Sequence, residues 1–292
     1  MLKPSSIFFR KSGKKIFTKA FVAAHKDFGV TIKEIVDWIK LALYFEDPTH
    51  SISKGILMCN YAPIYPELFQ TGVCLFGFGT NMHRIAALSK HIEHEYIVEG
   101  ILGQETLDNY SGSSVIKMND HSHITEDLIV ANIKKFIGLI EQKNPVKVAQ
   151  KTSQSIRKSI NVDEIYGSEP SDRSEENSQL NFEGIIRTKE CYDIELLSLK
   201  DRLIKFRIIS DGLFSCRAFI RDLGLSLHCP SSLHSLHLNR MGPIRSNQTL
   251  LKHELHYNQL VNCADEITQI CMDYFAKLRE QYPLATNRHR RI

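Results

Sequence analysis

The sequence predicts an α+β fold with a mixed, mainly antiparallel sheet flanked by helices. Apolar strand-like runs and segments with helical periodicity follow one another in mixed order, without the strict alternation that a parallel α/β sheet requires. Of the 292 residues, 42% are hydrophobic and 24% are charged, which is typical of a globular protein with a packed core. No run approaches the roughly 18 to 20 apolar residues of a spanning helix, so we expect no membrane span.

The N-terminal segment is strongly basic. Residues 1–26 contain seven Lys or Arg and no acidic residue, whereas the remainder of the chain carries 30 basic and 33 acidic residues. Large apolar residues lie between these charges, for example Phe8, Phe9 and Phe17. Residues 1–20 therefore predict a mitochondrial presequence and location in the matrix, and an ordinary basic arm is the alternative.

The first half of the chain predicts three strands and three helices. The strands lie at 20–24, 73–78 and 96–102, where each apolar run ends near Gly or a turn. Thr31 and Glu34 form a T-x-x-E capping box that begins a helix to about Leu43. Thr80 caps a helix through residue 90, and Thr125 begins a helix whose apolar positions continue to Ile140.

The second half begins with a segment of different composition. Residues 161–180 contain six acidic residues, several Ser and one basic residue, which predicts a disordered insert. Strands are expected at 192–198 and 203–209, joined by a tight turn at 200–202. Helices are expected at 217–227 and about 252–280, followed by a basic tail over 282–292.

Motifs for metal or phosphate chemistry are weak. Gly77 and Gly79 lack the third glycine and the Lys-Ser/Thr of a phosphate-binding loop, so a strand-ending turn is the better interpretation. The pair His234 and His237 matches no standard zinc ligand spacing, and we predict no metal site. The seven cysteines are scattered without a CxxC pair, which favours a reducing compartment over a disulfide framework.

Four segments in a fixed order carry the functional signal. They are K-D-F-G at 26–29, E-L-F-Q-T-G-V at 67–73, H-E-Y-I-V-E-G-I-L-G at 94–103 and R-A-F-I-R-D-L-G-L at 217–225, with N-R-M-G-P following at 239–243. In order and spacing, these segments resemble the TruB family of RNA pseudouridine synthases, especially its animal mitochondrial branch without a C-terminal PUA domain. The resemblance covers about residues 18–245 and implies one pseudouridine synthase-like domain over 21–281, interrupted by the insert.

The resemblance implies a set of site residues. Counting back from the Thr-Gly-Val motif places the family's catalytic aspartate at Glu67. Tyr96 would stack on the flipped uracil, and Arg217 would face the carboxylate and hold it charged. Lys26 and His94 stand at two further family positions that we expect to contact substrate. No cofactor is required.

The departures from the family pattern leave two hypotheses open. Glu67 is one methylene longer than aspartate, Pro66 precedes it, and His94 replaces the motif lysine. The first hypothesis is an isomerase that acts on mitochondrial mRNA, rRNA or tRNA. The second is an inactive TruB-like protein that binds RNA or an RNA-processing protein partner and acts in assembly. The position of Glu67 relative to Arg217 and Tyr96 discriminates between them.

Overall fold

A computed structural model describes residues 8–11, 14–17, 19–46, 59–63, 66–143 and 186–282. The strands are β1 (Phe8–Lys11), β2 (Lys14–Phe17), β3 (Phe21–Lys26), β4 (Cys59–Ala62), β5 (Gln70–Phe78), β6 (His94–Leu102), β7 (Gln104–Thr106), β8 (Val115–Met118), β9 (Gly138–Lys143), β10 (Ile186–Lys200), β11 (Leu203–Ser210), β12 (Ser231–Met241) and β13 (Ile244–Arg245). The helices are α1 (Ile32–Glu46), α2 (Asn81–Leu88), α3 (Glu126–Ile133), α4 (Cys216–Ser226) and α5 (Tyr257–Gln281).

Most of the strands form one sheet, in the order β3-β5-β12-β6-β11-β10-β9, with β4 on β5 and β13 on β12. Within the described part of the chain, β5 and β12 run parallel and the other neighbouring pairs are antiparallel. The five strands expected from the sequence lie in this sheet as β3, β5, β6, β10 and β11. The predicted α+β fold with a mainly antiparallel sheet is confirmed.

Local signals set most helix starts. The backbone N–H of Thr31 donates to the Glu34 carboxylate, and the Glu34 N–H donates to the Thr31 hydroxyl, so the predicted capping box is present. Thr125 caps α3 by accepting from the Leu128 N–H. Thr80 stands before α2, but its side chain makes no cap hydrogen bond.

The helix predicted after Thr125 is too long, because α3 ends at Ile133. A 3-10 turn follows, and Gly138 at φ +97° changes the chain direction into strand β9, where Ile140 pairs with Lys189 of β10. The last helix begins at Tyr257 rather than near 252, after a separate 3-10 turn over 252–254. Strand β12 was not predicted, although it lies between β5 and β6 in the sheet.

A continuous hydrophobic core contains residues from both halves of the chain. Ile220 of α4 packs so closely over β6 that a Cβ at Gly100 would approach its side chain to 3.0 Å. Helix α5 covers β3, with the rings of Phe21 and Phe275 stacked at 5.2 Å. The two halves therefore share one core rather than forming two separate ones.

Several sequence predictions fall wholly or partly outside the described residues. The insert at 161–180 and most of the basic tail lie outside them, and within 1–20 the strands β1 and β2 form a two-stranded antiparallel hairpin. Across the segments that the structure describes, no helix is both long and apolar enough to cross a membrane.

Candidate active site

Glu67 and Arg217 form an ion pair although they lie 150 positions apart. The Arg217 Nη2 donates to the Glu67 Oε1 at 2.9 Å. Arg217 is the second residue of α4, a helix that Ser215 caps by accepting from the Ala218 N–H. The Arg217 side chain is 6% exposed and the Glu67 side chain is 22% exposed, so the carboxylate is held by a buried cation but remains reachable from solvent.

Asp108 is a second partner of Arg217, and sequence reasoning did not identify it. The Arg217 Nη1 donates to the Asp108 carbonyl oxygen at 3.1 Å, and the Asp108 carboxylate lies 4.0 Å from the same nitrogen. Asp108 lies five residues after Gly103, the last residue of the motif at 94–103. Its position in a polar loop just after this motif is the sequence feature that could have identified Asp108 as a site residue.

Lys26 fastens the loop that carries Glu67. Its side chain is fully buried, and its ammonium donates to the carbonyl oxygens of Gln70 at 2.6 Å and Leu68 at 3.0 Å. Burial lowers the pKa of Lys26. The predicted substrate contact of Lys26 stays a prediction, because its ammonium is occupied by the chain itself in this structure.

Tyr96 and His94 form a buried pair on β6. The Tyr96 hydroxyl lies 3.1 Å from the His94 Nδ1, and Tyr96 is only 5% exposed. Burial lowers the pKa of His94 to about 3, so this imidazole is neutral at physiological pH. Burial also raises the pKa of the Tyr96 phenol well above its usual value. The structure thus places Tyr96 with its ring covered by protein, and its stacking role stays a prediction.

The sheet register relates Tyr96 to the Glu67 loop. Lys26, Gly72, Leu238 and Tyr96 occupy one row across β3, β5, β12 and β6. Gly72 and Tyr96 are therefore two strand spacings apart, about 10 Å at the backbone. Gly72 has φ +105°, and a Cβ there would lie 2.2 Å from the Leu238 carbonyl oxygen, which explains the glycine of the Thr-Gly-Val motif.

Two aromatic rings beside the ion pair were also missed. The rings of Phe69 and Tyr110 stack at 4.1 Å with an angle of 6° between their planes. The Arg217 guanidinium carbon lies 5.9 Å from the centre of the Phe69 ring. Both aromatic side chains are half-buried, so they form a partly open apolar wall next to Glu67. Only their spatial proximity identifies them, because they lie 41 positions apart.

The histidines considered for metal binding have other partners. The His234 Nδ1 lies 3.0 Å from the Ser111 hydroxyl, and the His237 Nδ1 lies 2.9 Å from the Thr71 hydroxyl. Among the described residues, no cluster of three or more His, Cys, Asp or Glu side chains has the arrangement of a metal site.

No protein-family model matches the chain. Among curated proteins, it is similar to the tRNA pseudouridine synthase B of Phocaeicola vulgatus, with 27% identity over 180 residues, 62% of this chain and 70% of the relative. The probable tRNA pseudouridine synthase B of Pyrococcus furiosus is 25% identical over 225 residues, 76% of this chain and 47% of that protein. The corresponding protein of Thermococcus gammatolerans is 27% identical over 137 residues, 47% of this chain and 31% of that protein.

Solved structures show the same relationship at the level of the fold. A crystal structure of a Cbf5-Nop10-Gar1 complex matches with a TM-score of 0.53 and 20% identity, over 80% of this chain and 53% of that chain. An H/ACA RNP bound to a substrate RNA that contains 2′-deoxyuridine matches with a TM-score of 0.51 and 18% identity, over 80% and 51%. The chain thus spans about half the length of these structures and of the Pyrococcus relative. It is similar in sequence to proteins named tRNA pseudouridine synthase B and shares the fold found in Cbf5.

Proposed function

We propose that this protein isomerises uridine to pseudouridine in RNA, with Glu67 as the catalytic carboxylate. The ion pair between Glu67 and Arg217, at 2.9 Å in a TruB-like fold, is the observation that supports this proposal most directly. The pair supports this role because Glu67 stands at the position that the resemblance assigns to the catalytic aspartate, and because a buried cation holds its carboxylate.

The reaction needs the N1–C1′ bond of uridine to break, the uracil to rotate, and a C5–C1′ bond to form. The proton leaves C5 and N1 gains one, so no cofactor or external oxidant is involved. Glu67 would act as the nucleophile at the sugar–base junction, and Arg217 would fix its orientation. Phe69 and Tyr110 present a partly open aromatic wall on which the flipped base can pack.

The substrate proposed is mitochondrial RNA, and the protein would belong to the animal mitochondrial branch of the family. The basic, acid-free N-terminal segment supports import into the matrix. A reporter fused to residues 1–20 should therefore enter mitochondria. Cytosolic retention of the fusion would contradict the proposed location without touching the chemistry.

A second candidate function is an RNA-binding or assembly protein without activity. Two observations favour it: a glutamate replaces the family aspartate, and Tyr96 is covered by protein. Such a protein would contact RNA or an RNA-processing partner and would leave uridine unchanged.

A pseudouridine map of mitochondrial RNA separates the two functions. Cells that lack the protein are complemented with the native chain, with Glu67→Gln, or with Glu266→Gln as a control, since Glu266 is exposed on α5. We expect one or more pseudouridines to depend on the native chain and on the control variant, and to be absent with Glu67→Gln. Sites that persist with Glu67→Gln would favour the assembly function.

A further inference from the structure

A groove of about 310 Å³ lies between α2 and α5, outside the site around Glu67. We name it the α2–α5 groove. Its floor is apolar and includes Leu88 and Phe275, which are buried, and the half-buried Met272. Two arginines, Arg84 from α2 and Arg279 from α5, line its rim.

The two arginines have unusual surroundings. The Arg84 Nη1 donates to the Asn81 side-chain oxygen at 2.5 Å and lies 2.7 Å from the Met272 sulfur. Among the described residues, neither Arg84 nor Arg279 forms an ion pair with a carboxylate. Burial lowers the pKa of Arg84, and the nearby Arg279 charge lowers it further. Two like charges therefore lie together over an apolar surface, and no carboxylate in the described segments neutralises them.

This arrangement of the half-buried Arg84 and the exposed Arg279 contrasts with that of four buried or half-buried arginines that form ion pairs. Arg207, Arg217, Arg221 and Arg240 each hold at least one carboxylate at 3.1 Å or less. Removing a guanidinium from water without a partner is unfavourable, and an anionic ligand would offset that loss. Guanidinium groups match phosphate oxygens especially well, because their planar N–H donors can bind two oxygens at once.

We propose that the α2–α5 groove binds one phosphate and the adjoining base of the RNA whose target uridine lies at Glu67. The guanidinium groups of Arg84 and Arg279 hold the phosphate, and the base packs on Met272 and Phe275. This inference rests on the proposed function, since it takes RNA as the substrate.

The size and position of the groove favour a nucleotide. Its volume is at the lower end of the range for small-ligand sites, about 300 to 1,000 Å³, and suits one nucleotide better than the several side chains of a docked peptide helix. The groove begins beyond the C-terminal end of β5, whereas Glu67 precedes its N-terminal end. Nine strand residues separate the two sites by about 30 Å, a distance that a folded RNA readily spans.

Binding of a fluorescent oligouridine of about 20 nucleotides tests the proposal by anisotropy over a range of salt concentrations. In Arg84→Gln/Arg279→Gln, we expect binding to weaken about tenfold near 0.1 M salt. The slope of log K against log salt should fall by about 0.7 for each lost phosphate contact. Lys277→Gln removes a neighbouring exposed charge outside the groove, and we expect an effect below about twofold.

A second variant controls for the possibility that the double mutant fails to fold. Ala276 is exposed at the groove, so Ala276→Glu introduces a carboxylate beside the two arginines without disturbing the core, and it should weaken oligouridine binding similarly. Native-like binding by both variants would overturn the groove proposal while leaving the proposed activity at Glu67 intact. Absence of RNA binding by the native chain would overturn both proposals. Competition by hexaglutamate but not by uridine monophosphate would replace the nucleotide with an acidic peptide.

Discussion

The two ends of strand β5 each lie near an arginine that is at least half-buried, but the electrostatic surroundings of the two arginines are opposite. At the N-terminal end, Arg217 holds Glu67 at 2.9 Å and also binds the Asp108 carbonyl. Beyond the C-terminal end, Arg84 lies beside Arg279 without a carboxylate among the described residues. The comparison teaches that a guanidinium with a carboxylate partner positions a group of the protein. A guanidinium without a carboxylate partner keeps N–H donors available for a ligand.

The largest expected difference concerns stability. We expect Arg217→Gln to lower the free energy of unfolding by about 3 kcal/mol, because it removes the buried cation that holds the Glu67 carboxylate. The 22% exposure of the Glu67 side chain keeps the loss at the lower end of the usual range. Arg84→Gln removes a charge that Arg279 repels, so its loss should stay below about 0.5 kcal/mol. Urea unfolding of both variants measures the difference. Equal losses would remove the distinction between the two arginines.

The length of the carboxylate side chain provides the next test. Glu67→Asp withdraws the carboxylate from the Arg217 Nη2 by on the order of 1 Å, and we expect the rate of pseudouridine formation to fall about 100-fold. Single-turnover release of tritium from C5 of labelled uridine measures this rate. A faster Glu67→Asp enzyme would show instead that the additional methylene of Glu67 misplaces the catalytic group.

Substitution of Lys26 tests how strongly its hydrogen bonds stabilise the N-terminal end of β5. Lys26→Met keeps the apolar stem but removes the donors to Gln70 and Leu68, and we expect it to cost about 2 kcal/mol of stability. Hydrogen exchange in the Glu67 loop should increase at the same time. Lys277→Met, at an exposed position on α5, is the matched control and should change neither measurement. Unchanged exchange in the loop of Lys26→Met would contradict the fastening role.

The smallest expected effect is a pH dependence from His94. Because its pKa in the folded protein is about 3, against an ordinary value of 6.5, the unfolded chain binds a proton between these values that the folded protein does not. Stability from this group is full above pH 6.5 and declines as the pH falls toward 3, by about 1.4 kcal/mol at pH 5.5. Thermal unfolding of the native chain and of His94→Gln should therefore diverge below pH 6.5. Parallel curves would show that His94 titrates normally.

Local signals in the sequence predicted much of the fold. The capping box at Thr31 and Glu34 acts within one turn, so it is visible in the sequence and is present in the structure. Strand β12 was not predicted because register shifts after Leu233 and Leu238 interrupt its alternation of apolar and polar residues. The end of α3 was missed because apolar residues continue past Gly138 into β9, and periodicity alone does not separate a short strand from a buried helix.

The same difference between local signals and long-range packing applies to the candidate site. The order of motifs brought Glu67 and Arg217 into one hypothesis, and their side chains are in contact in the structure. Their catalytic roles and those of Tyr96 and His94 stay predictions. The stacked Phe69 and Tyr110 belong to separate loops, and their proximity depends on the packing of the folded chain, which no local pattern encodes.

The late position of β12 in the chain has a consequence for how the protein is made. This strand lies between β5 and β6, so one edge of each of these strands stays unpaired until β12 has left the ribosome, although β5 can already pair with β3 and β6 with β11. The parallel contact joins Gly72 to Leu238, and such long-range contacts slow folding because a large loop must close before they form. Two apolar strands thus have an unpaired edge during synthesis. We expect the nascent chain to depend on chaperones until β12 has been synthesised.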